Sequence, residues 1–194
     1  MNARDQLILA AEKVFNDFGY RRASMADVSR IAGVSRQGLY HHFRNKSELF
    51  VAVIGKAHAG TVDKSIQARE AARARGADYE EIVTAMIDER FGQMLRDLQK
   101  SPHSVEIFEE AMKRCADVIL EQNVRFHKLL ADLTESEMKA RRLTLAQGLS
   151  ADILLNAFVT MARGVSLMQP PADPANLREE YARHIKLLMH GARV

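Results

Sequence analysis

Ser24-Met25-Ala26-Asp27-Val28-Ser29-Arg30-Ile31-Ala32-Gly33-Val34-Ser35-Arg36-Gln37-Gly38-Leu39-Tyr40-His41-His42-Phe43 holds two short helices and the turn between them. Ser24 lies three residues ahead of Asp27. That is capping-box spacing, in which the hydroxyl takes the N3 amide and the carboxylate reaches back. Val28, Ile31 and Ala32 then share a face. Gly33 supplies the positive φ that a tight inter-helix turn demands, and Ser35 caps a helix predicted over residues 36–44. Upstream, Leu7, Ile8, Ala11, Val14, Phe15 and Phe18 recur at helical spacing, with Gly19 as the stop. Val28, Ile31, Val34, Leu39 and Phe43 are expected to pack on that first helix. The pattern is a helix-turn-helix, whose second helix enters the DNA major groove with its N-terminal residues at the base edges.

The side chains suit that task. Arg36 and Gln37 at the helix start can make bidentate contacts, arginine to guanine and glutamine to adenine. Gly38 lets the backbone approach closely. Tyr40, His41, His42 and Lys46 offer donors to phosphates. Ser24 and Ser35 stand at helix N-termini, where free amides and the dipole favour an anion.

The charge agrees. The 194 residues carry a formal net charge of +3. Residues 1–50 hold eight Lys/Arg against five Asp/Glu, so the whole excess lies there and the remaining chain is neutral. A basic end on a neutral body points to a polyanion partner at that end.

Residues 11–50, above all Ala32-Gly33-Val34-Ser35-Arg36-Gln37-Gly38-Leu39-Tyr40-His41-His42-Phe43-Arg44-Asn45-Lys46, closely resemble the DNA-binding domain of the tetracycline-repressor (TetR) family. The Ala-Gly-Val-Ser turn, the Gly-Leu-Tyr-x-His-Phe core and the Lys-x-x-Leu that follows are the most specific signal. The first helix ending in Phe18-Gly19-Tyr20 matches as well. The motif spans a quarter of the chain, and the chain length and helical remainder also fit. The resemblance implies that Arg36, Gln37, Gly38, Tyr40 and His41 face bases or nearby backbone. It also implies that Ser24, Met25, Ser35, Tyr40, His42 and Lys46 lie against phosphates. Two positions depart from the family pattern: threonine is commoner than Ser24, and Ala26 cannot donate to a base edge, which leaves the first short helix little to read.

Downstream the pattern is helical to the end, so the predicted class is all-α. An N-terminal three-helix domain (1–46) is joined by a long helix to a helical effector-binding and dimerisation domain (47–194). Asn45 to Glu48 reads as a second capping box opening the long helix, and residues 66–77 as its fraying end plus a connection. Further helices are expected from Asp78, from Ser101-Pro102 to about Arg114, and from about Ala116 to Gln147 with a break at Thr134. One more starts at Ser150, reaching Met168 and stopped by Pro170-Pro171, and the last at Asp173-Pro174. The last two are too apolar for one small body to cover. The TetR resemblance implies a homodimer in which they form a four-helix bundle. Ile153, Ala157, Phe158 and Met161 of the first, with Tyr181, Ile185 and Leu188 of the second, are the candidate interface. A twofold protein would place two recognition helices a helical turn apart and read an inverted repeat.

Met86, Phe91, Met94, Phe108, Met112, Phe126 and Met161 recur in the body. Methionine suits adaptable apolar cavities, although such stripes are more often plain core. The resemblance implies a small-molecule pocket here whose ligand weakens DNA binding; His127, Asn156 and Thr160 are polar candidates at it. The ligand must act by differential affinity for the DNA-incompetent geometry.

Other classes find little. One cysteine, Cys115, excludes an internal disulfide framework and any multi-cysteine metal site. Cys115, His103, His127 and Asp132 lie on separate stretches with no motif around them, so an enzyme is not expected, nor a cofactor or metal. The apolar runs fall short of the ~18 residues a membrane span requires. The N-terminus lacks the layout of a signal peptide, and the expected compartment is the cytoplasm. A DNA-binding adaptor or activator without an effector remains the alternative to a ligand-released repressor.

Overall fold

The computed structural model describes residues 2–98, 101–165 and 173–193. Among these the chain is helical, with no strand and a single isolated β-bridge from Leu145 to Arg193. It forms two compact units, residues 1–59 with 97–122, and residues 60–96 with 123–194.

The first unit begins with α1 (Ala3–Arg22), whose Leu7, Ile8, Ala11, Val14 and Phe15 face inward. At Gly19 the backbone leaves the helical region (φ 75°, ψ 165°), and residues 20–22 make one further turn. The Ser24 capping box then opens α2 (Met25–Ala32), with both reciprocal bonds present. Gly33 stands in the left-handed region (φ 68°), and Ser35 caps α3 (Arg36–His42) by accepting the Gly38 N–H at 3.0 Å. α4 (Lys46–Ala74) follows, its first turn closed by Asn45, which accepts the Glu48 N–H at 2.9 Å. Glu48 reaches back to the Arg44 N–H instead of Asn45's own. Phe15, Leu39, Phe43, Leu49 and Phe50 form the core, with Phe15 and Phe50 edge to face at 5.1 Å. Ile107 and Ala111 of α7 (Ser104–Arg114), with Cys115 after it, complete this core at four-residue spacing. α8 (Ala116–Lys139) follows.

Ile31 and Val34 are not part of that core, being 44% and 40% exposed. On α2 the inward residues are Met25, Val28 and Ser29. At 100° per residue Ile31 stands roughly a third of a turn away from their centre.

The second unit comprises the rest of α4, α5 (Tyr79–Ile87), most of α6 (Gln93–Leu98), the rest of α8, α9 (Ala151–Val165) and α10 (Leu177–Ala192). Asp78 caps α5 by accepting the Glu81 N–H at 2.9 Å. Met86, Ile87, Phe91, Phe126, Leu130, Phe158, Tyr181 and Ile185 build its core. Between α5 and α6, Asp88–Gly92 is π-helical, where the periodicity predicts one uninterrupted helix. Such one-turn widenings are frequent at functional sites.

Five boundaries differ from the sequence pattern. α4 continues to Ala74 because its alanines and arginines are strong helix formers and Ala72 is buried in the second core. α8 does not break at Thr134, whose hydroxyl goes to the Leu130 carbonyl at 2.8 Å and to Tyr79 Oη at 2.8 Å, and so caps nothing. α8 ends at Lys139. α7 and α10 each start a few residues after the proline, because Ser101 and Asp173 close a turn first, accepting the His103 and Ala175 N–H groups at 3.1 and 2.9 Å. Met168, Pro170 and Pro171 lie outside the described residues.

Candidate nucleic-acid interface

α3 is seated by Leu39 and by Phe43 at its C-cap, both wholly buried. At 100° per residue Gln37 and His41 point away from those two, Tyr40 and His42 lie on opposite flanks, and Arg36 stands nearer the core side but in the open first turn. All five are exposed, Tyr40 by half. The His41 and His42 rings meet edge to face at 5.4 Å. Arg36 makes no ion pair among the described residues, whereas Arg30 is held by Asp27 at 2.7 Å. Ser24 and Ser35 are exposed at their caps, but Met25 is buried. Only at Gly38 does the face lack a side chain. Arg4 is a residue the sequence pattern passes over. Its guanidinium covers the Phe43 ring at 4.9 Å, which sets an exposed cation beside the end of α3. Only the excess of basic residues near the N-terminus hints at it.

Lys46 is placed differently from the phosphate contact the sequence implies. Its Nζ donates to the carbonyls of Tyr20, Ala23 and Arg21 at 2.8, 2.9 and 3.2 Å, and lies over the Tyr20 ring. An ammonium has three hydrogens, and this inward arrangement accounts for all of them. Desolvation, then the nearby Arg114, holds its pKa below the ordinary lysine value. Around the same turn, Glu106 Oε1 accepts the Arg21 N–H at 2.6 Å, and Arg114 stacks on the Tyr20 ring at 4.8 Å. Glu110, almost wholly buried, pairs with Arg114 at 2.8 Å, and that bond holds its carboxyl below the usual glutamate range.

The residues expected at a pocket are dispersed. Met86, Phe91 and Phe126 share the second core, Phe91 and Phe126 edge to face at 5.8 Å, with Met161 packed against it. Met94 and His127 are half-buried. Phe108 and Met112 belong to the first unit and are 45% and 57% exposed, because Ile107 and Ala111 take the inward face of α7. Asn156 and Thr160 are exposed on α9. Inside the second unit, wholly buried Arg90 of the π-helical segment donates to Thr61 Oγ1 at 3.0 Å and Asn123 Oδ1 at 2.8 Å. Burial, then Arg163, brings its pKa down to about 10. A cleft of about 520 Å³ in this unit is lined by Arg73, Tyr79, Glu137, Arg142 and Arg193 among others.

Of the residues expected at a dimer seam, Phe158, Tyr181 and Ile185 are wholly buried within the chain itself. Ile153 is 53% exposed, and Ala157, Met161 and Leu188 are half-buried. Leu187, which the sequence pattern passes over, is 71% exposed on α10.

Cys115 is buried, and burial pushes its thiol up to about 11, away from nucleophilic chemistry. Among the described residues no three His, Cys, Asp or Glu side chains are grouped to hold a metal ion, and no helix is long and apolar enough to cross a membrane.

Comparison with known proteins matches this geometry. The family model described as "Bacterial regulatory proteins, tetR family" matches residues 7–53. The HTH-type transcriptional regulator TtgR of Pseudomonas putida is 44% identical over 55 residues, which is 28% of this chain and 26% of that protein. The chain thus matches about a quarter of that relative's length. The crystal structure of a TetR-family transcriptional regulator from Mesorhizobium loti superposes with a TM-score of 0.76 at 18% identity, covering 99% of this chain and 97% of that one. The regulator FadR of Bacillus subtilis, solved with stearoyl-CoA, gives a TM-score of 0.69 at 16% identity over 96% of this chain and 98% of its own. At those identities the likeness is one of fold. Residues 7–53, then, carry the N-terminal domain of the tetR family of bacterial regulatory proteins.

Proposed function

We propose that the protein is a sequence-specific DNA-binding transcriptional regulator of the cytoplasm, not an enzyme, acting as a homodimeric repressor on an inverted-repeat operator and released by a small-molecule effector. The observation that carries this is the open side of α3, where Arg36, Gln37, Tyr40 and His41 are all exposed on a helix anchored by Leu39 and Phe43. Arginine and glutamine at the start of such a helix are the donors that major-groove guanine and adenine edges take. In this reading the helices of residues 1–46 read DNA, braced by residues 47–59 and 97–122 of the same unit, while the rest of 47–194 binds the effector and dimerises. The exposed Ile153 on α9 and Leu187 on α10 support a twofold seam along these helices. The stearoyl-CoA in the Bacillus subtilis FadR complex supports a small-molecule ligand in a body of this fold. In this chain the second core around Met86, Phe91, Phe126 and Met161 is the place assigned to it.

The test is selection of random duplexes on the purified protein at moderate salt, followed by sequencing of what is retained. Enrichment of an inverted repeat with half-sites one or more turns apart is the expected result. Retention without a consensus, lost as salt rises, would leave only non-specific phosphate binding and would favour an adaptor without an effector.

A further inference from the structure

Residues 20–22 form a single helical turn after Gly19, followed by Ala23 and the Ser24 cap of α2, and a lone turn does not hold itself together in water. Here both ends are held by side chains from distant sequence. At the N-terminal end Glu106 of α7 accepts the Arg21 N–H, and at the C-terminal end Lys46 donates to the carbonyls of Tyr20, Arg21 and Ala23. An anion at the amide end and a cation at the carbonyl end are the signs the helix dipole favours. Gly19 fits the same arrangement, because a β-carbon there would stand 2.6 Å from Glu106 Oε2. Ser101 adds a second tie nearby, donating to the Asn16 carbonyl at 2.9 Å.

This turn is the only covalent path from α1 into the helix-turn-helix, so its orientation sets where α2 and α3 stand on the first core. We propose that Glu106 is a positioning residue for operator recognition: by fixing the Arg21 amide it holds the α1–α2 junction, and through it α3, in the geometry that reads bases. The proposal rests on the DNA-reading function above. It makes α7 part of the DNA-reading apparatus, although α7 itself need touch no DNA.

Simple electrostatics gives the opposite expectation. Removing a carboxylate from a basic head should strengthen attraction to phosphates. The test uses the full chain, the duplex selected by the wild type, and a random duplex of equal length. Glu106→Ala is expected to bind the selected duplex about tenfold more weakly, the scale of one charge-assisted hydrogen bond, and the random duplex no more weakly than wild type. Glu106→Gln, which keeps an acceptor oxygen at the same reach, is expected to recover most of the loss. Hydrogen exchange adds a measurement on the wild type alone, in which the Arg21 amide must be protected. A freely exchanging Arg21 amide overturns the assignment, as does undiminished selected-duplex binding by Glu106→Ala or an equal loss on both duplexes. If the wild type enriches no consensus at all, the DNA-reading function fails first, and that failure is visible before any variant is made.

Discussion

The Lys46 ammonium stands 4.6 Å from the centre of the Tyr20 ring while donating to the Tyr20 carbonyl at 2.8 Å, so one cation engages both the π face and the backbone of a single residue. The first residue of α4 is thereby pinned to the end of α1, and the helix-turn-helix between them becomes a closed loop of structure.

Lys46→Met should therefore act on stability. Hydrogen bonds from a charged donor are each worth about 1.5–3 kcal/mol, and this half-buried lysine makes three. A net loss of about 2 kcal/mol is expected, read as a lower urea midpoint with unchanged slope. An unchanged midpoint together with weaker binding to every duplex would return Lys46 to a phosphate-contacting role.

Arg36→Ala should cost about 1–3 kcal/mol on the selected duplex and relax preference at one operator position. Because Arg36 is exposed, thermal unfolding should not change. Competition titrations with single-base variants of the site are the check, and equal losses on specific and random DNA would remove Arg36 from base reading.

Ile153→Glu with Leu187→Glu places charges on the exposed faces of α9 and α10 and leaves the wholly buried Phe158, Tyr181 and Ile185 in place. The double variant should stay folded and become monomeric at micromolar concentration by light scattering. DNA affinity should fall with it, since a monomer presents one α3 where the dimer presents two. A dimer that survives both charges would put the seam elsewhere.

Acid should weaken the second unit through Glu137. Arg142 grips it through bonds of 2.7 and 2.9 Å, and that grip holds its carboxyl below the ordinary value of 4.5. A group with a depressed folded-state pKa contributes its full stability above the unfolded value and loses it as pH falls through the folded one. Urea midpoints should thus decline below about pH 4.5, and Glu137→Gln should start lower at neutral pH but decline less. A variant as acid-sensitive as wild type would assign the decline to other carboxylates.

The helix-turn-helix was legible because its signals are local. Ser24 with Asp27, Gly33 and Ser35 each act within four residues, and the buried spacing of α1 needs no partner to be seen. What α7 packs against was not legible in the same way. Ile107, Ala111 and Cys115 repeat every four residues and could face any core, while Phe108 and Met112 beside them are larger and equally apolar, so the pattern alone favours neither face. The inward reach of Lys46 is hidden for a related reason, since its three acceptors lie 23–26 residues upstream and are backbone atoms that leave no trace in side-chain chemistry. The π-helical turn at Asp88–Gly92 also escaped, because one extra residue in a helix alters hydrophobic periodicity too little to read.

α7 completes the first core with Ile107, Ala111 and Cys115, and this bears on transplanting recognition heads between regulators. A graft of residues 1–59 alone would leave behind the side chains that close its underside and the carboxylate that steadies its junction. The exchangeable module is discontinuous, and residues 97–122 must travel with it. On the proposed reading, new operator preferences would arise by substitutions on the outer face of α3 without renegotiating that second segment, whereas changes around Gly19 to Ala23 would have to be matched in α7.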